Sequence, residues 1–152
     1  MFSFALSILS AAWLALIFCL SHQTGSDTYI TSIRIAELIH KFLVRAGICS
    51  ASDLELINIL IRKFAHVALF AVLAVLVLLT LHMLRREHGV NIRTVYGSSF
   101  CIFYSWADEA TKVWVPGRHF SWFDTGLNIA GCVFGGLFLH FASKVIRRAR
   151  GR

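Results

Sequence analysis

The sequence predicts an all-α membrane protein with four transmembrane helices and one interfacial amphipathic helix in the first extracytoplasmic loop. Of the 152 residues, 57% are hydrophobic, and the mean hydropathy is +0.70, which is too apolar for a soluble domain. Three apolar runs approach the ~20 residues that a helix needs to cross a bilayer. They give the predicted spans 2–20, 64–84 and 124–146.

A fourth stretch, residues 95–115, is less apolar because it contains Asp108, Glu109 and Lys112. We interpret it as a spanning helix, since its ends are rich in Trp and Tyr and its acidic residues lie near one end. A re-entrant or interfacial helix is the alternative. The prediction is thus a single transmembrane domain over residues 1–146, followed by a basic tail, residues 147–152.

The first apolar run has the position of a signal peptide but lacks its other features. No Lys or Arg precedes it, no A-x-A site follows it, and Ile17-Phe18-Cys19 is a poor lipobox. We therefore expect it to remain as a transmembrane helix.

The cysteines show no metal or disulfide pattern. None of the four forms a C-x-x-C pair, and three lie in predicted spans. We interpret them as packing residues and expect no metal site and no cofactor.

Basic residues predict the orientation of the chain. They fill the loop after the second span and crowd the C-terminus: Arg85, Arg86, Arg93, Lys144, Arg147, Arg148, Arg150 and Arg152. With four spans both regions lie on one side, and the positive-inside rule places both termini in the cytoplasm. The reverse orientation stays open, because loop 21–61 has basic residues of its own. Such clusters bind anionic lipid, so we expect membrane lipids as partners and no nucleic acid.

The long loop after the first span contains an amphipathic pattern. Apolar residues recur at helical spacing over residues 29–46, including Ile30, Ala36 and Ile39, and charged residues share the opposite face: Arg34, Glu37, Lys41 and Arg45. The pattern predicts a helix in the outer membrane interface that ends near Gly47. It is either a membrane-surface lid or a connecting helix docked on the bundle.

Two short patterns refine the helices. Ser52-x-x-Glu55 has the form of a capping box, which predicts that a helix begins at Asp53 and continues into the second span. Gly131-x-x-x-Gly135 forms a strip of small residues that lets another helix approach closely. We expect this strip to pack within the bundle rather than to dimerise.

Polar residues from four segments are predicted to meet at one depth on the outer side. Ionisable groups are costly in hydrocarbon and are therefore candidates for function. The candidate ligand-binding residues are Arg62, His66, Asp108, Glu109, Arg118, Ser121, Asp124 and Asn128. A network that only locks the helices together is the alternative.

Spacing suggests how these residues pair. Asp108 lies at i,i+4 from Lys112, which predicts an ion pair between them and leaves Glu109 as the freer group. Arg118 follows Pro116 in a turn, where it is expected to pair with Asp124 or to offer its guanidinium to a phosphate or carboxylate.

The same residues resemble the VanZ-like family. The resemblance is carried by the segments Asp108-Glu109-Ala110-Thr111-Lys112, Val115-Pro116-Gly117-Arg118-His119-Phe120-Ser121 and Asp124-x-x-x-Asn128-x-x-Gly131-x-x-x-Gly135. Arg62-Lys63-Phe64-Ala65-His66 and Ser21-His22-Gln23 also fit it. The resemblance runs from the first span to about Gly136, and the spacing P-G-R-x-x-S-x-x-D-x-x-x-N-x-x-G is quite specific.

The founding member of that family is associated with resistance to teicoplanin, a lipid-tailed glycopeptide antibiotic that acts outside the cytoplasmic membrane. The resemblance therefore implies a bacterial inner-membrane protein concerned with the envelope or with such drugs, and it implies no reaction. The chain has Leu69 and Phe70 where many members carry Glu and Tyr, and Lys112 where a Gln is frequent. These differences remove side chains on which a proton relay would depend.

Three functions compete. The first is a non-enzymatic protein that binds an envelope lipid or a glycopeptide and lowers susceptibility to lipophilic glycopeptides. The alternative is an intramembrane enzyme acting on a lipid or isoprenoid-linked headgroup, with Glu109, His66 and Asp124 as catalytic candidates. A small oligomeric transporter is the second alternative. The lack of an established catalytic motif favours a non-enzyme, and the ligand and oligomeric state stay open.

Overall fold

The computed structural model describes residues 2–84 and 90–149, and every regular element in these ranges is helical. The five α-helices are α1 (Phe2–Ser21), α2 (Gly25–Arg45), α3 (Leu54–Leu84), α4 (Val90–Thr111) and α5 (Trp122–Ala149). Short 3₁₀ turns, Ala51–Asp53 and Lys112–Trp114, precede α3 and follow α4. The all-α class is confirmed. Arg85, Arg86, Arg150 and Arg152, on which the predicted orientation partly rests, lie outside the described residues.

Among the described residues, three helices are long and apolar enough to cross a membrane, judged by length and composition. They are Ser3–Ser21, Leu54–Met83 and Trp122–Ile146, which correspond to three of the four predicted spans. α4 forms where the fourth span was expected, but it ends at Thr111, where the 3₁₀ turn begins. It is less apolar as a whole because Arg93, Asp108 and Glu109 lie along it.

α3 is the central helix and packs against α1, α2, α4 and α5, with its most extensive contact on α5. The glycine strip explains that contact. A Cβ at Gly131 would collide with the carbonyl oxygen of Val67, and a Cβ at Gly135 with that of Ala71. The strip therefore brings two helix backbones together within this chain, as predicted.

A buried apolar core lies between α1, α3, α4 and α5. It consists of Ile17, Phe70, Leu73, Ala74, Val77, Cys101 and Cys132. All four cysteines are free thiols. The packing role predicted for them is confirmed for Cys101 and Cys132, which are buried. It is wrong for Cys19, which is exposed on the surface of α1.

α2 begins at Gly25, before the predicted start, because Thr24 caps it by accepting a hydrogen bond from the Asp27 backbone N–H at 3.2 Å. It ends at Arg45, and Gly47 follows with a φ of 68°, the left-handed conformation that glycine adopts without strain. Backbone N–H groups of Gly47 and Ile48 donate to carbonyls of the last turn.

The charged face predicted for α2 is exposed: Arg34, Glu37, Lys41 and Arg45. On the predicted apolar face, Ala36 is buried against the bundle, whereas Ile30 and Ile39 are 49% and 41% exposed. Among the described helices, α3 is the one that α2 contacts extensively. Only a narrow stripe of α2 therefore packs against the bundle.

The start of α3 is also capped differently from the prediction. The Ser50 backbone N–H donates to the Asp53 carboxylate at 2.8 Å, and this hydrogen bond holds the pKa of Asp53 below its usual value. Glu55, expected in the capping box, instead accepts from the Tyr29 hydroxyl at 3.1 Å and ties α3 to α2. This bond raises the pKa of Tyr29.

The close contact of α3 and α5 gives a first prediction. Gly135→Ala should destabilise the protein by about 1–3 kcal/mol, because the added methyl group overpacks the helix interface. Gly126→Ala is the matched control in the same helix: a Cβ there meets nothing within 4 Å, so stability should be unchanged or slightly higher. Thermal unfolding of both variants in detergent measures the difference. Equal melting temperatures would contradict the contact.

Candidate functional site

Two acids and a lysine are buried together where α4 ends. Asp108, Glu109 and Lys112 are 3%, 1% and 2% exposed. Lys112 Nζ donates to Glu109 Oε2 at 2.5 Å and lies 4.0 Å from Asp108 Oδ2. Asp108 Oδ2 instead accepts from Ser21 Oγ of α1 at 2.9 Å. This buried group therefore joins α1 to α4.

Lys112 thus forms the predicted i,i+4 ion pair with Asp108, but Glu109 is its closer partner, so the prediction that Glu109 is the freer group is wrong. The reason is local geometry. The chain tightens into a 3₁₀ turn at Lys112, and residues three apart eclipse one another in a helix with three residues per turn. That change favours the i,i+3 partner, Glu109, over the i,i+4 partner.

A second polar group joins α3 to α5. Lys63 Nζ donates to Asp124 Oδ1, and His66 Nδ1 donates to Asn128 Oδ1 at 2.9 Å. The other ring nitrogen, Nε2, lies 3.9 Å from Asp124 Oδ2, which is too far for a hydrogen bond. Lys63 was not among the predicted site residues. Its place three residues before His66, on the same helix face, was the signal that could have identified it.

Ser121 stabilises the start of α5. Its Oγ accepts from the Asp124 backbone N–H at 3.2 Å, and its carbonyl accepts from the Thr125 backbone N–H at 3.0 Å. This is the hydrogen-bond pattern of an N-cap residue. The structure thus gives this predicted ligand-binding residue a capping role, and it positions Asp124 beside Lys63.

Arg118 anchors the Pro116–Gly117 turn to the start of α2 and does not pair with Asp124. Its Nε donates to the Gln23 carbonyl at 3.2 Å, and its Nη2 donates to Thr28 Oγ1. Gly117 has a φ of 72°. One of the two expected roles, the ion pair with Asp124, is absent because Asp124 is bound by Lys63 and the guanidinium is bound to Gln23 and Thr28.

A cavity of about 240 Å³ lies between α1, α2, α3 and the Arg118 turn; we call it the α1–α3 cavity. Four basic side chains line it: Arg62, His66, Lys112 and Arg118. Further polar groups come from Ser21, Gln23, Thr28, Thr31 and Ser32, and the apolar part includes Ile17, Leu20, Ile35, Ile61, Leu69 and Phe70. The lining of the cavity therefore combines cationic groups with hydrocarbon.

Burial in this environment lowers the pKa of Arg118, and repulsion from the nearby Arg62 guanidinium lowers it further. Glu109, Asp108 and Asp124 act in the opposite direction. The two guanidinium groups line the same cavity and repel each other.

A larger cavity, about 510 Å³, lies at the opposite end of the bundle. It is lined by Leu78, Leu79, His82, Thr94, Gly136, Leu139, His140, Ser143, Lys144 and Arg148. None of the predicted site residues lines it. Size alone does not make it the functional site, and the polar groups that converge from remote segments surround the smaller cavity.

The structure therefore divides the predicted site residues into two groups. Arg62, His66 and Arg118 line the α1–α3 cavity. The others are structural supports around it: Asp108, Glu109, Ser121, Asp124 and Asn128. Within residues 2–84 and 90–149, no group of three or more His, Cys, Asp and Glu side chains is placed to hold a metal ion. The chemistry that the cavity offers is binding of an anion.

Comparison with known proteins gives one match. The family model described as VanZ/LLP1 matches residues 6–143, nearly the whole chain and all of the elements that form the site. No curated protein and no solved structure matches the chain.

The buried acid–lysine group gives a second prediction. Lys112→Met leaves two buried carboxylates without their cation and should destabilise the protein by about 3–5 kcal/mol. The double variant Glu109→Gln/Lys112→Met removes one charge of each sign and should recover at least half of that loss. Thermal unfolding of the single and double variants measures the coupling. Additive losses would show that the two side chains do not interact.

Proposed function

The chain belongs to the VanZ/LLP1 family, and from this premise we propose that it is a multi-pass bacterial inner-membrane protein that acts at the cell envelope. In this proposal the α1–α3 cavity faces outward, and the protein lowers susceptibility to lipophilic glycopeptides such as teicoplanin. The observation that supports it best is the cavity itself, in which Arg62 and Arg118 converge from segments remote in sequence. The association of the family's founding member with teicoplanin resistance suggests the biological setting.

We propose that α4 is a fourth transmembrane helix. Its buried residues recur at helical spacing and include both acids: Cys101, Ser105, Asp108 and Glu109. Its exposed residues are mostly large and apolar, with Tyr96 at 67% and Phe103 at 64% exposure. A helix whose charges face the bundle and whose outer surface is apolar suits contact with lipid, even though its mean hydropathy is modest.

Four spans would place both termini on one side, and the basic C-terminal segment favours the cytoplasm. Trp114 and Trp122, 80% and 73% exposed, then form part of an aromatic belt at the outer interface, beside the Arg118 turn. α2 would lie in the same interface. Its exposed Leu38 and Phe42 suit contact with lipid, while its charged face suits contact with headgroups and water.

This topology gives a third prediction. In intact cells, a membrane-impermeant maleimide should label Cys49, which lies between α2 and α3 and is partly exposed, in a Cys19→Ser background. Cys49→Ser in that background is the control and should not react. A C-terminal alkaline phosphatase fusion should be inactive, because four spans return the C-terminus to the cytoplasm. An active fusion together with labelled Cys49 would mean three spans and would contradict the proposal that α4 spans the membrane.

An intramembrane enzyme is the alternative function, and one observation favours it. Among the three catalytic candidates, Glu109 is bound by Lys112 and Asp124 by Lys63. His66 lines the cavity and is oriented by Asn128 through Nδ1. This arrangement leaves Nε2 for a general acid or base. Turnover of envelope lipids by the purified protein, lost in His66→Gln, would support this alternative over binding alone.

Susceptibility of a glycopeptide-sensitive Gram-positive host gives a fourth prediction. Expression of the chain should raise the inhibitory concentration of teicoplanin, and Arg118→Gln should abolish most of the increase, because the guanidinium is the best-placed anion ligand in the cavity. Arg34→Gln changes the net charge equally on the exposed face of α2 and should keep the protection. Both variants are compared at matched membrane levels.

Undiminished protection by Arg118→Gln would show that the cavity takes no part in the protection. Lack of protection by the native chain would show that action against such drugs does not extend to this protein in that host.

A further inference from the structure

Two guanidinium groups line the α1–α3 cavity without carboxylate partners. Among the described residues, no carboxylate oxygen lies within 4.0 Å of Arg62 or Arg118, whereas Lys63 and Lys112 both have acid partners. The Arg62 side chain also forms no hydrogen bond with the described residues. Positive charges that are partly removed from water without a partner are unfavourable unless an anion binds between them.

Arg118 is held in place for such an anion. Its bonds to the Gln23 carbonyl and Thr28 Oγ1 fix the guanidinium plane and use two of its five N–H donors. The remaining N–H groups are available to a ligand. Thr28 accepts from Arg118 and therefore keeps its own hydroxyl proton for a further hydrogen bond. Thr28 also lines the cavity, so several donors converge there.

Size and apolar surface restrict the ligand further. At about 240 Å³, the cavity is smaller than the ~300–1,000 Å³ of sites that enclose drug-sized molecules, so it cannot enclose a glycopeptide. It can hold a phosphate group and a few carbons. Leu20 and Ile35 at its edge are 36% and 46% exposed, which provides an apolar path by which a hydrocarbon chain can leave the cavity.

We propose that the α1–α3 cavity binds the phosphomonoester headgroup of a membrane lipid, with Arg62 and Arg118 holding the phosphate and the lipid tail lying between α1 and α2. A phosphomonoester carries up to two negative charges and several acceptor oxygens, which matches two guanidinium forks. The inference rests on the proposed function for its setting and names the ligand class of the same site. It implies that any effect on glycopeptides acts through a lipid.

The test uses the full chain in nanodiscs made of equal parts phosphatidic acid, phosphatidylglycerol and phosphatidylcholine. Native mass spectrometry then counts the lipids retained by the released protein. We expect one phosphatidic acid to be retained in preference to the other two lipids. Arg62→Gln should reduce this retention by about tenfold, because a charge-assisted bond is lost, and Arg118→Gln should do the same. Arg34→Gln, the charge-matched control outside the cavity, should retain the lipid.

Arg118→Gln removes hydrogen bonds that hold the turn, so Arg62→Gln is the decisive variant, because the Arg62 side chain makes no hydrogen bond with the described residues. Equal retention of phosphatidylglycerol and phosphatidic acid would overturn the proposal, and so would equal losses in Arg34→Gln and Arg62→Gln. Displacement of phosphatidic acid by a small excess of inorganic phosphate would identify a free-anion site and would also overturn it.

Two results separate this inference from the proposed function. Arginine-dependent lipid retention without glycopeptide protection would leave the lipid site standing and refute the role against the drug. Protection without lipid retention would keep the envelope function and refute the ligand class.

Discussion

Burial of a lysine between two carboxylates determines how α4 can be placed. Charges that are removed from water are tolerated only when they are paired and hydrogen-bonded. Lys112 is paired with Glu109 and Asp108 within one turn of the chain, and Ser21 of α1 donates a hydrogen bond to Asp108. α4 must therefore turn this face toward the bundle, and its apolar residues then face outward. The Ser21–Asp108 hydrogen bond also helps to fix the register of α1 against α4, together with the bond that the Tyr104 hydroxyl donates to the Leu14 carbonyl.

The close contact between α3 and α5 is the second structural requirement. Because Gly131 and Gly135 bring the two backbones together, short polar side chains near the start of α5 can reach α3. His66 meets Asn128, and Lys63 meets Asp124. A wider separation of the helices would leave these groups unpaired. The glycine strip thus supports the polar site indirectly, by fixing the distance across which its members bind each other.

The helices and the convergence of polar residues could be predicted from the sequence, because hydropathy, helical spacing and the depth of each residue along its helix are local properties. The hydrogen-bond partners could not. Lys112 bonds Glu109 because the helix tightens into a 3₁₀ turn, and no residue in that segment signals the change. Arg118 bonds a backbone carbonyl of Gln23, a partner that has no side-chain signature. Ser50 rather than Ser52 forms the capping box, at the 3₁₀ turn that leads into α3, although both serines have an acid three residues later.

The cavity is cationic because the lysines near the site are paired with acids, whereas the arginines that line it are not. The two buried or half-buried lysines near the site are neutralised by Glu109 and Asp124, and an unpaired lysine in such surroundings would release its proton. Arginine does not have that route, because its guanidinium stays protonated in proteins. Arg62 and Arg118 therefore keep their charges in the cavity, where repulsion and partial desolvation disfavour them. An anion bound between the two guanidinium groups would relieve both effects at once.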